Sequence, residues 1–379
     1  MPTPTFDVIV LGVGGMGSAA CFELARRGRR VLGLEQFPLV HELGSSHGQT
    51  RIIRTAYYED PNYVPILRRA WERWYELERL RGLHLLTECG CLSFGRPDAE
   101  VVAGVGRSAK EHGLSIETLN AVDLRKRYPP FRVPDDFIGV LEHQAGFLYV
   151  EECVRAHIEA AQQAGATIHA EEPVIAWNAS SDQVTVTTTR NTYSAARLVI
   201  TAGPWAGRLL ARHGAMLRVM RQTLLWFGTQ DDRAFQRDRF PIYLAQVPEG
   251  HFYGLPIIDS AGHKVAQHFG APELNLPDEI DREVHEGDET PVRDFLSKYL
   301  PQVDGPRRRA QTCIYTPSPD RHFIIDRHPE HANVAFAAGF SGHGFKFASV
   351  VGEILADLAD HGRSPLPIEM FRLGRFKAS

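Results

Sequence analysis

The chain has 379 residues, 43% hydrophobic and 23% charged, with a net charge of −4. This is a globular composition, long enough for two domains, and its mild acidity gives no general attraction to nucleic acid or anionic membrane. No apolar run approaches the roughly 20 residues that cross a bilayer. The start, MPTPTFDVIVLG, lacks the basic, apolar and small-residue regions of a signal peptide. Cys21, Cys89, Cys91, Cys153 and Cys313 are odd in number and too few for a disulfide framework, and CGC at 89–91 has no second pair at zinc spacing. A cytoplasmic protein with reduced thiols and no metal is expected.

In chain order, FDVIVLG is a buried parallel strand in pattern, GVGGMG a turn, SAACFELARRG a helix stopping at Gly28, and RRVLGLEQF a second strand. Gly12, Gly14 and Gly17 stand at G-x-G-x-x-G spacing. The first allows the tight turn, the second the approach of a pyrophosphate, the third close helix–strand packing. The helix N-terminus offers free N–H groups to phosphate, and Glu35 ends the second strand where a ribose hydroxyl would be accepted. A dinucleotide site is expected; the fingerprint alone does not separate FAD from NAD, and a glycine turn without ligand is its bland counterpart.

YVPILRRAWERWYELERLRG reads as an amphipathic helix burying Leu67, Ala70, Trp71, Trp74 and Leu77. VEECVRAHIEAAQQAGATIH is a helix leading to a strand, and ARLVITAGPW a buried strand entering a glycine turn. Residues 87–148 are richer in proline and turns. Residues 218–319 mix strand-like runs (TLLWFGT, HFYGLP, HKVAQHFG) with an acidic stretch, Ala271 to Asp294, expected as solvated surface. HFIIDRHPEHANVAFAAGFSGHGFKFASVVGEILADL returns to strand, glycine turn and helix. The fold class expected is α/β and α+β: a Rossmann-like nucleotide domain (1–86, 149–217 and 320–379) interleaved with a mixed-sheet substrate domain (87–148 and 218–319).

Three stretches, GSSHGQTRIIRTAY (44–57), CIYTPSPDRHFIIDRHPEH (313–331) and AAGFSGHGFKFASVVGEIL (337–355), resemble the monomeric sarcosine oxidase and N-methyltryptophan oxidase family of glycine-oxidase-like flavoproteins. With the N-terminal fingerprint the resemblance spans nearly the whole chain. It implies FAD rather than NAD, and oxidation of a secondary amine beside a carboxylate. It implies that Arg54 and Lys346 hold that carboxylate, in a chain where only six of 42 basic residues are lysine. A compact ammonium reaches one carboxylate oxygen where a broad guanidinium would not fit. Gly342 and Gly344 would let the backbone approach the flavin ring, and the N–H groups near Phe345 would stabilise negative charge on the reduced ring. For His343, a plain hydrogen-bonding role stands beside proton transfer.

The resemblance also places Arg51, Thr50 and His47 around the flavin, with Gly15, Met16, Ser45, Val174, Gly203 and Trp205 as further cofactor contacts. Three apart, Arg51 and Arg54 would share a face on a helical turn. Tyr253, His268 and Tyr315 match the substrate pocket, and Cys313 matches the position of covalent flavin attachment, where a thiolate is needed. Lys264 matches the lysine on the opposite flavin face, where oxygen reacts; strand alternation puts it with Ala266 and His268. Leu244 and Gln49 depart from the residues associated with bacterial sarcosine oxidases, which puts strict sarcosine preference in question.

The expectation is a monomeric oxidase carrying one FAD bound through Cys313 and converting sarcosine, O2 and water to glycine, formaldehyde and H2O2. The alternative within the class is L-pipecolate or another cyclic or bulkier secondary amino acid. Outside it stand an NAD-dependent dehydrogenase, which leaves Cys313 unexplained, and a non-catalytic flavin module, which leaves Arg54 and Lys346 idle.

Overall fold

FDVIVL forms the strand Phe6–Leu11, whose last four residues are buried. It pairs in parallel with Val31–Leu34 on one side and Thr192–Ile200 on the other. The computed structural model describes residues 6–210, 213–214 and 216–376. Thr192–Ile200 is shared between two neighbours. Its first part pairs antiparallel with Val184–Thr188, while Leu198–Ile200 pair in parallel with Val334–Ala338. The resulting eight-stranded sheet thus draws its strands from both ends of the chain and its middle. Helices Gly15–Arg26, Val150–Gln163 and Ala348–His361 pack with it around one apolar cluster.

The amphipathic run is the helix Val64–Arg81, with Trp71 and Trp74 buried and a left-handed Gly82 at its C-terminus. Residues 87–148 hold more regular structure than their composition suggests, including helix Glu100–His112 and strands Cys91–Gly95, Ile116–Asn120 and Ile138–Glu142. Thr50–Ile53, Gly146–Tyr149 and Leu86–Glu88 form a separate three-stranded sheet.

The second large sheet has nine strands, and its register sorts the functional residues. Trp226 of Val219–Phe227 faces Lys264 of His263–Gln267 on one side and Arg309 of Arg307–Tyr315 on the other. Cys313 faces Gln222, and Tyr253 faces both Leu244 and Ala266. Directly opposed residues share a face and alternate residues return to it, so Lys264, Tyr253, Leu244, Cys313 and Tyr315 all project from one side. The other side buries Phe94, Phe227, Tyr243, Phe252 and Val265 against Val292, Phe295 and Leu296. Those last residues overturn part of the sequence reading: the C-terminal end of the acidic stretch belongs to helix Glu286–Tyr299, whose inward stripe was masked by its acidic first turn.

Candidate active site

A cavity of about 380 Å³ is lined by both large sheets, from Gly12, Gly14 and Glu35 at one end to Arg54, Tyr253 and Lys346 at the other. Its nucleotide end follows from glycine sterics. Gly12 has φ +85°, and a Cβ on Gly17 would lie 1.7 Å from the Gly12 carbonyl oxygen, so no side chain fits there. Helix Gly15–Arg26 has no side-chain cap and no acid in its first turn, which leaves its N-terminus electropositive toward the cavity. Ser46 Oγ accepts one of its donors, Gly15 N–H, at 3.1 Å. Glu35 accepts from the N–H groups of Val13 (2.9 Å) and Phe37 (3.1 Å), so its carboxylate is fixed at the cavity wall. Met16, Val174, Gly203 and Trp205 line the same end, the indole N–H of Trp205 donating to Asp278 at 3.2 Å.

Around Cys313 the groups are electropositive. Arg51 Nη2 lies 3.1 Å from the sulfur and also donates to the Ser45 carbonyl, while Ser45 Oγ donates to the Ile314 carbonyl at 2.7 Å. Burial alone would push the thiol up; Arg51 and His47 more than offset it and bring the thiol down to about 6. His47 Nε2 lies 3.0 Å from the Gly44 carbonyl oxygen.

Arg51 and Arg54 do not share a helical face. Residues Thr50–Ile53 form a strand pairing with Gly146–Tyr149, because the run TRII is β-branched and Gly48 and Gln49 before it take left-handed φ values of 89° and 75°. The two guanidinium groups therefore take different partners, Arg51 reaching Cys313 and Arg54 reaching Glu59. Arg54, 3% exposed, donates through Nη2 to both oxygens of Glu59 (2.8 and 2.6 Å) and lies 4.1 Å from the centre of the Tyr57 ring. Lys346, 5% exposed and not a surface residue, lies 5.2 Å from the same ring and donates to the His343 carbonyl oxygen at 2.7 Å. Burial, and then the neighbouring Arg54, lower its ammonium to about 7.

His343 is committed at both nitrogens: Nδ1 lies 2.6 Å from the Tyr57 hydroxyl and Nε2 3.0 Å from the Arg321 carbonyl oxygen. Burial lowers it to about 4, so it is neutral at pH 7. Gly342, at φ +82°, lies against Tyr315: a Cβ there would come within 2.3 Å of the ring. Gly344 precedes the short 3-10 turn Phe345–Phe347 that opens helix Ala348–His361. His268 falls just beyond its strand, yet its Nδ1 still meets the Tyr315 hydroxyl at 3.1 Å, beside Tyr253.

Lys264 is 2% exposed, and its Nζ donates to the carbonyls of Gly48 (2.6 Å) and Thr50 (2.9 Å) and to Thr50 Oγ1 (3.2 Å). These acceptors bracket the left-handed Gln49, so the lysine also pins the entry to the Arg51 strand.

Sequence reasoning missed several residues that hold these groups. Glu59 pairs with Arg54; burial would raise its carboxyl, but Arg54 holds it down at about 2. Glu142 accepts from Thr55 N and Ala56 N, and Glu151 from Gly48 N and Gln49 N. Trp74, read as core, donates its indole N–H to the Lys346 carbonyl at 2.8 Å. Nothing local in the sequence marks these partners, which stand up to 272 residues from the groups they fix.

The chain matches the family model for FAD dependent oxidoreductases (DAO) over residues 7–358. It is 44% identical to monomeric sarcosine oxidase of Streptomyces avermitilis, over 100% of this chain and 99% of that one. It is 37% identical to N-methyl-L-tryptophan oxidase of Yersinia pestis, covering 98% and 100%. Among solved structures, NikD, an unusual amino acid oxidase essential for nikkomycin biosynthesis, superposes with a TM-score of 0.87 at 27% identity, over 98% of both chains. The class is thus that of FAD-dependent oxidoreductases, and within it the chain belongs to the monomeric sarcosine oxidase and N-methyltryptophan oxidase family. It is a flavoprotein oxidase acting on a CH–NH group with oxygen as acceptor.

The residues present fit FAD: a side-chain-free turn and a helix N-terminus with no acid in its first turn would take the pyrophosphate, Glu35 would face a ribose, and the acidified thiol of Cys313 lines the same cavity.

Proposed function

We propose that the protein oxidises a small secondary amino acid, with sarcosine the first substrate to test, giving glycine, formaldehyde and H2O2 from sarcosine, O2 and water. The observation that carries this reading is the pair of buried cations, Arg54 and Lys346, flanking the Tyr57 ring in the cavity that also contains Cys313. Glu59 already offsets part of the repulsion between these desolvated cations, and a substrate carboxylate would add to that compensation. FAD bound in this cavity supplies the chemistry, accepting a hydride equivalent from the N-alkyl carbon and delivering electrons to oxygen. Arg54 and Lys346 orient the substrate by its carboxylate, and His343 and Trp74 fix the segment that carries Lys346. His268, lowered to about 3 by burial, is neutral and so does not compete for the carboxylate. Tyr253, Tyr315 and His268 wall the amine. Cys313 anchors the cofactor covalently, with Arg51 and His47 favouring the thiolate. We further read the chain as a cytoplasmic monomer; among the described residues no helix is long and apolar enough to cross a membrane.

A cyclic or bulkier amino acid such as L-pipecolate is the second reading. It is favoured by a smaller cavity of about 160 Å³ that shares Tyr58, Glu59, His268 and His343 with the main one, giving room beyond the carboxylate clamp. Peroxide release and oxygen consumption across sarcosine, N-methyltryptophan, L-pipecolate and L-proline decide between them; no turnover of any secondary amino acid would reject both.

Replacing either clamp residue should weaken carboxylate inhibitors such as acetate by about tenfold to a hundredfold, the value of a charge-assisted hydrogen bond. Unchanged acetate inhibition in Lys346→Met with flavin still bound would reject the clamp. The clamp also has a pH signature. Lys346 is charged below about 7 and neutral above it, so acetate binding should weaken as pH rises through that value. Acetate itself stays ionised throughout, so the trend should disappear in Lys346→Met.

A further inference from the structure

Lys264 is a buried amine whose three hydrogen-bond acceptors include no carboxylate. Burial, and after it Arg51 and Arg309, push its ammonium well below the ordinary lysine value, while Cys313 and Glu151 favour the charge. Directly across the sheet stands Trp226, fully buried, with the Lys264 nitrogen 5.2 Å from its ring centre. From the strand on its other side, the Arg309 guanidinium lies 4.8 Å from the same ring. The indole N–H donates to Gln49 Oε1 at 3.0 Å, and the Gln49 amide is held in turn by Asp259. The ring is therefore fixed in its plane by the residue whose flanking carbonyls Lys264 grips. An aromatic face is negative at its centre, and in a dry site its attraction for a cation is worth more than at a surface.

We propose that Trp226 is a positioning residue for Lys264, its ring face holding the lysine in place and charged where a neighbouring carboxylate is missing. This rests on the reading of Lys264 as the cation that assists oxygen, which takes two electrons from the reduced cofactor and two protons to become H2O2. Negative charge grows on oxygen during that transfer, and a fixed ammonium stabilises it. A neutral lysine would not.

The test follows the Lys264 titration in the flavin-loaded protein by NMR of ¹³Cε-labelled lysine. The chain has only six lysines, and the signal missing in Lys264→Met makes the assignment. Fluorinated tryptophans placed at position 226 keep the ring's shape while draining its negative face. Successive fluorination should lower the Lys264 midpoint stepwise, and Trp226→Leu should lower it by about one pH unit. Reoxidation by oxygen should then slow, with its pH profile displaced downward and anaerobic reduction by substrate unchanged. Trp226→Phe, which keeps a ring but loses the Gln49 bond, should retain most of the parent behaviour. A Lys264 midpoint that does not move across the fluorinated series and Trp226→Leu overturns the proposal. Parent-like reoxidation in Lys264→Met would instead reject the oxygen role, while the titration still decides whether Trp226 holds the ammonium.

Discussion

Lys264→Met is expected to leave reduction by substrate close to normal and to slow reoxidation by oxygen on the order of a hundredfold to a thousandfold, the scale of losing one preorganised charge at a reacting centre. The selectivity follows from placement. Arg54 and Lys346, which would orient the amine, come from the residue just after strand Thr50–Ile53 and from the 3-10 turn Phe345–Phe347. Lys264 stands on the nine-stranded sheet and touches only Gly48 and Thr50 among hydrogen-bond partners. Methionine matches the length of the stem but brings no charge and leaves the Gly48 and Thr50 carbonyls without their donor. Some loss of stability is therefore expected as well, and flavin content must be matched before rates are compared. Stopped-flow traces of the two half-reactions, run separately, make the decision: equal slowing in both, or normal reoxidation, rules out a dedicated role with oxygen.

The second large effect is expected at Cys313. Acid precipitation of the parent protein should carry the yellow colour down with the polypeptide, and Cys313→Ala should release all of it to the supernatant or fail to retain flavin. A parent supernatant holding the whole of the flavin would sink covalent attachment. The local electrostatics add a sign. The thiol lies at about 6, so its thiolate fraction, and with it the rate at which added FAD becomes attached to apoprotein, should fall as pH drops through that value. Arg51→Gln removes the guanidinium 3.1 Å from the sulfur, so burial should then prevail, the thiol should rise, and attachment near neutral pH should slow. The other four cysteines give a control. Cys21, Cys89, Cys91 and Cys153 are all pushed up by burial and should remain unlabelled by flavin.

Much of this molecule was legible where function depends on contiguous residues. The strand, glycine turn and helix around Gly12 and Gly17 are dictated locally, since sterics forbid any other residue at these backbone approaches. The helix Val64–Arg81 and the strand alternation carrying Lys264 were equally open to reading, because periodicity is a property of a single segment. The nearby pair Arg51 and Arg54 was less open. Spacing alone allowed a shared helical face, but pairing with Gly146–Tyr149, nearly a hundred residues on, made the segment a strand, and the two side chains took different partners, Cys313 and Glu59.

The sequence by itself thus determined the cofactor-binding turn, the class of chemistry through its long shared motifs, and the identities of the cations and the thiol. Tertiary structure alone decided their states. Cys313 becomes acidic only because Arg51 and His47 are brought to it, and Lys346 loses much of its basicity only because folding buries it beside Arg54. Glu59 meets Arg54, and Trp226 meets Lys264, only in the folded chain. The physical reason is that a side chain's identity is local, whereas its charge, orientation and reactivity depend on desolvation and on neighbours drawn from remote parts of the chain.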